Sequence, residues 1–138
     1  MKPGNGGLIM INYGFTKEID ASFEDTLDKV STELEKEGFG ILTQINIAEK
    51  FKEKLGIEFR KYIILGACNP PSAHKAILLE ENIGLMLPCN VVIHERQNKT
   101  VVSIIKPKVA MEMIGNVELE QIASTIEQKL EKVFNSII

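Results

Sequence analysis

From residue 8 to residue 19 apolar and polar positions alternate, with Ile9, Ile11, Tyr13 and Phe15 on one side. That period of two predicts a strand. The period changes at Ser22-Phe23-Glu24-Asp25, a capping-box-like start with Asp in place of Glu. Phe23, Leu27, Val30 and Leu34 then recur at helical spacing. Gly38 suits the left-handed position that ends a helix, and Phe39 can fold back on Leu34. A second strand is expected over 39–47, followed by a short charged helix over 48–55 that Gly56 closes.

Residues 62–68 are almost wholly apolar, as a central strand would be. Asn69-Pro70-Pro71 stops that strand and opens a helix, because Asn is a strong N-cap and Pro is tolerated in the first turn. The helix is expected to end near 82–84. Residues 89–96 and 100–105 read as the fourth and fifth strands, joined as a hairpin through Gln97-Asn98-Lys99. Pro107 begins a short segment that ends at Gly115. Asn116 then caps a long helix with Glu118 and Glu120 in its first turn. Its stripe is Leu119, Ile122, Ile126, Leu130, Val133 and Ile137. The order and the short connections predict an α+β fold, a largely antiparallel five-stranded sheet with helices packed on one face.

A chain of 138 residues fits one domain, read here as 10–138 after a flexible leader at 1–9 rich in glycine. A net charge of −3 supplies no positive field for phosphate backbones, so nucleic acid is not expected as a partner. No apolar run approaches the roughly 20 residues that span a bilayer, so no membrane is expected either. The first residues contain no apolar signal core. Two cysteines outside a Cys-x-x-Cys arrangement suit a reducing compartment. The expected location is the cytoplasm.

The distinctive chemistry is a repeated dipeptide, Cys68-Asn69 and Cys89-Asn90. If the third and fourth strands are antiparallel, the end of one lies beside the start of the other and the thiols become neighbours. If they are parallel, the thiols stand about a strand length apart, roughly 20 Å. The antiparallel case is expected. Cys68 then precedes a helix N-terminus, where N–H groups and the dipole favour anions. The candidate site is Cys68, Asn69, Ser72, His74, Cys89 and Asn90. It could bind a small anionic or polar ligand, join or modify the two thiols, or hold a soft metal such as zinc or copper through Cys68, Cys89 and His74. Against these stands packing alone, with each Cys a small hydrophobe and Asn69 a cap. His94 alternates with Cys89 and is expected on the opposite face. No Ser-His-Asp set, paired-acid motif or phosphate loop is present, and the residues leave the cofactor open.

Met10-Ile11-Asn12-Tyr13-Gly14-Phe15, Glu37-Gly38-Phe39-Gly40, Leu65-Gly66-Ala67-Cys68-Asn69-Pro70 and Leu87-Pro88-Cys89-Asn90-Val91 together resemble the domain-of-unknown-function family numbered 302. The resemblance implies a curved antiparallel sheet like that of the TATA-box-binding protein, and a homodimer. It implies no established reaction. It also assigns Asn69-Pro70 to architecture and the thiols to one branch of the family. The expected function is therefore a homodimeric small-ligand-binding or regulatory module sited at the two Cys-Asn pairs. The alternative is a thiol-dependent redox or soft-metal-handling protein using Cys68 and Cys89.

Overall fold

Regular structure begins with a strand that doubles back on itself. The structure, a computed structural model, describes residues 8–138. Of the leader expected at 1–9, residues 1–7 lie outside the described residues, and Leu8–Met10 is the short strand β1. The chain bends at Ile11 to Tyr13 and returns as β2 (Gly14–Ile19), so Met10 pairs with Phe15. The alternating stretch 8–19 is thus two strands. Gly14 makes the return possible, since a Cβ there would lie 2.9 Å from the Ile104 carbonyl oxygen of a neighbouring strand.

Helix α1 (Phe23–Lys36) starts where Ser22 Oγ accepts the Asp25 N–H at 3.0 Å. It ends in a Schellman closure. Gly38 has φ +85°, and its N–H donates to the Glu35 carbonyl while that of Phe39 donates to the Leu34 carbonyl, both at 3.0 Å. The chain continues through β3 (Gly40–Asn46), α2 (Ile47–Leu55), β4 (Tyr62–Cys68) and α3 (Pro70–Leu79). Helix α3 is shorter than expected, and a turn at 81–82 and a 3-10 turn over Ile83–Met86 follow it. Strands β5 (Cys89–Arg96) and β6 (Lys99–Ile105) form a tight hairpin. Gln97 and Asn98 both take positive φ there, matching the strand twist, and Lys99 belongs to β6 rather than to the turn. A short α4 (Pro107–Met111) leads to α5 (Val117–Ser136).

The sheet runs β1-β2-β6-β5-β4-β3, antiparallel throughout. Its five long strands are those expected, with β1 added at one edge. Alternation sends Leu65, Val91, Ile93, Val102 and Ile104 to one face, where they are buried with Val30 and Leu34 of α1 and with Ile126, Leu130 and Val133 of α5. Lys17 holds the end of α5, its ammonium donating to the Phe134 carbonyl at 2.7 Å, where the helix dipole favours a cation. A second, smaller core joins Ala76, Ile83, Met111, Leu119 and Ala123. It connects α3, α4 and α5 beyond the end of the sheet.

On the other face Ile45, Ile64, Val92 and Ser103 follow one another across four strands. Ser103 exchanges a 3.0 Å hydroxyl contact with Thr16. Gly66 also lies on this face, closed in by Pro88 and Thr43. A Cβ at 66 would meet Pro88 Cγ at 2.6 Å and would run into Thr43 Oγ1 as well. Gly66→Ala is therefore expected to lower unfolding free energy by about 1–3 kcal/mol. Gly84→Ala, with nothing within 4 Å of the added carbon, should stay within about 0.5 kcal/mol. Urea unfolding of the two variants checks the contrast.

Candidate functional site

Strands β4 and β5 pair with Ala67 opposite Cys89 and Gly66 opposite Asn90. The end of one strand thus lies beside the start of the other, as the antiparallel expectation required. Cys68 is one residue past that pair and half-buried, and both cysteines are free thiols. Pro88 sets the approach. Leu87 before it is extended (φ −119°, ψ 155°), which delivers Cys89 into β5 with its side chain on the helix-covered face.

Asn69 is committed to architecture. Its Oδ1 accepts the Ser72 N–H at 3.3 Å and its Nδ2 donates to the Gly38 carbonyl at 3.3 Å. One side chain therefore caps α3 and ties it to the loop after α1. The capping also disposes of the anion site expected at this helix N-terminus. Pro70 and Pro71 have no N–H, Ser72 gives its own to Asn69 Oδ1, and Ala73 gives its own to the Asn69 carbonyl at 2.9 Å. The first turn has no backbone N–H left over.

Behind Asn69 opens a cleft of about 40 Å³ at the seam between the two cores. Its walls include Phe39 and Ala67 from the sheet side, Ala73 and Ala76 of α3, and Met111, Ala123 and Ile126 of the opposing helices. Cys68, Asn69, Ser72 and Cys89 also line it, and no charged residue does. Burial pushes the Cys89 thiol up to about 11, with a smaller contribution from the neighbouring Cys68. Cys89 is therefore a neutral thiol at physiological pH and a poor nucleophile.

Four of the six expected residues meet at the cleft: Cys68, Asn69, Ser72 and Cys89. Two do not. Asn90 is exposed on the other sheet face, because the alternation that separates His94 from Cys89 moves Asn90 there too. His74 is exposed on α3, where Ala73 and Ala76 take the inward positions. The metal set Cys68, Cys89 and His74 does not assemble within the chain, and no group of three His, Cys, Asp or Glu among the described residues could hold an ion. His94 stacks on Tyr62 at 5.1 Å between centroids, and burial lowers its pKa. The walls from α4 and α5 were missed as site residues. Small residues on two of the facing helices, Ala73 and Ala76 of α3 and Ala123 of α5, leave the space between them.

The model of the family described as "Domain of unknown function DUF302" matches residues 15–137. No curated protein matches the chain. Among solved structures it is similar to "uncharacterized conserved protein DUF302 from Bacillus stearothermophilus", at 28% identity over 93% of this chain and 100% of that one, with a TM-score of 0.86. No described helix is long and apolar enough to cross a membrane.

The Cys89 environment has a consequence for stability. A thiol whose folded pKa is raised favours folding below its unfolded pKa of 9.0, and that contribution is lost as pH rises through about 11. Unfolding free energy should fall between pH 9 and about 11 by on the order of 2–3 kcal/mol from this group. Urea titrations of the wild type and Cys89→Ala at several pH values check this, and the variant should lack that component.

Proposed function

We propose a binding role for this chain, which belongs to the DUF302 family: a small, mainly apolar molecule seats in the cleft at the ends of β4 and β5. The observation that carries the reading is the lining, apolar walls drawn from two separate cores with no charged residue among them. A ligand of this kind buries its hydrocarbon part against Ala73, Ala123 and Ile126 and turns a hydroxyl or thiol toward Ser72. A charged ligand fits poorly, since no cation lines the cleft and the α3 N-terminus has spent its backbone N–H groups.

Size narrows the class further. About 40 Å³ holds a few non-hydrogen atoms, against the 300–1,000 Å³ typical of drug-sized sites. Met111 in the wall is unbranched and adaptable, so a somewhat larger molecule can enter by displacing it. Thiol chemistry has less support, because Cys89 is held protonated. Two neighbouring reduced thiols suit a reducing compartment such as the cytoplasm.

Amide NMR spectra under xenon pressure, and separately with 1-propanol, test the reading. Saturable shifts are expected among residues 67–76, 87–89 and 119–126. Ala123→Met, which fills the cleft, should weaken both by about tenfold or more. Ala73→Met provides the same test should the first variant fail to fold. Absence of saturable shifts, or shifts unchanged in a folded filled variant, contradicts the proposal.

A further inference from the structure

At the opposite end of β4 from the cleft, a wider groove opens between α1, α2 and the loop that joins α2 to β4. Its volume of about 500 Å³ lies within the 300–1,000 Å³ of ordinary small-molecule sites. The floor is apolar, made by Phe23 and Leu27 of α1 and by Tyr62 and Ile63 where β4 begins. The rim is charged. It carries four carboxylates, Glu24, Asp28, Glu49 and Glu58, against the two ammonium groups of Lys52 and Lys61.

Both lysines are already paired. Lys61 donates to Glu24 at 2.7 Å, and Lys52 meets Glu58 at 3.3 Å. Asp28 and Glu49 make no ion pair with any described residue. They stand on different walls, Asp28 one helical turn after Glu24 on α1 and Glu49 in the first turn of α2. Two negative charges are therefore left uncompensated, on separate helices beside one apolar floor. A metal ion suits this arrangement poorly. It needs ligands that converge, and no three His, Cys, Asp or Glu side chains among the described residues do so. The floor itself tolerates a cation, since the Lys61 ammonium lies 5.6 Å from the centroid of the Phe23 ring.

We infer that this groove binds an aliphatic polyamine, its ammonium groups on Asp28 and Glu49 and the methylene chain between them laid over Phe23, Leu27 and Tyr62. Charge at the ends and hydrocarbon in the middle match carboxylates on two walls and an apolar floor between them. An anion would meet a rim of net negative charge, and a neutral hydrocarbon would strip water from both carboxylates without replacing it. Exposed ion pairs contribute little each in water, so binding is moderate in strength and weakened by salt. The inference does not depend on the ligand of the cleft, which shares no wall residue with the groove.

Amide NMR titration with spermidine in low-salt buffer tests it. Saturable shifts are expected among residues 23–28, 46–52 and 58–63. Asp28→Asn and Glu49→Gln should each weaken binding by about three- to fivefold, the usual contribution of one exposed ion pair. Glu131→Gln removes the same charge from an exposed position of α5 outside the groove and should leave the affinity unchanged. Magnesium chloride at equal ionic strength should give no saturable shifts at these residues. Circular-dichroism melts verify that these exposed substitutions preserve the fold. Absence of saturable shifts with spermidine overturns the inference. So does an affinity indifferent to both groove variants, one lowered equally by Glu131→Gln, or magnesium binding at the same residues.

Discussion

Everything specific about this molecule follows from the antiparallel pairing of β4 with β5 and its register. Ala67 opposite Cys89 brings the end of one central strand beside the start of the next, across an excursion of some twenty residues. Because side chains alternate, that register also decides which face Cys89 joins. It joins Val91 and Ile93 in the helix-covered core, where burial keeps its thiol protonated. Gly66 and Pro88 are part of the same constraint. The proline ring closes over a position that admits no side chain, and thereby sets how β5 begins.

The cleft is a by-product of joining two cores. The main core fills the sheet between α1 and α5, and the smaller one gathers α3, α4 and the start of α5. Alanines at 73, 76 and 123 leave the seam imperfectly filled. Asn69 fastens the mouth from both sides, to α3 and to the loop at Gly38, and the prolines after it remove the donors that an anion would need. An apolar seam without a charged residue in its lining offers a phosphate or carboxylate no compensating partner.

Much of this was legible in the residues. Caps at Ser22, Asn69 and Asn116, the closures at Gly38 and Gly56 and the apolar run at 62–68 are local signals, and local physics settles them. The neighbouring thiols needed one further step, the direction of two strands. Asn90 and His74 are close in sequence to the thiols, but proximity in sequence says little about facing. Strand alternation excludes the first and the helical turn of α3 excludes the second. The α4 and α5 walls could not be read at all, because they arrive through tertiary packing, with Ala123 more than thirty residues from Cys89. The split of 8–19 into two strands was hidden for a similar reason, since the close approach of Ile104 to Gly14 leaves no mark on the alternation.

The most direct measurement is the set of cross-strand backbone NOEs between β4 and β5. The account predicts contacts pairing Ala67 with Cys89 and Gly66 with Asn90, with Cys89 side-chain protons close to the helix-covered core. A register displaced by one residue, with Ala67 facing Asn90, would turn Cys89 onto the open face and contradict the account of the site.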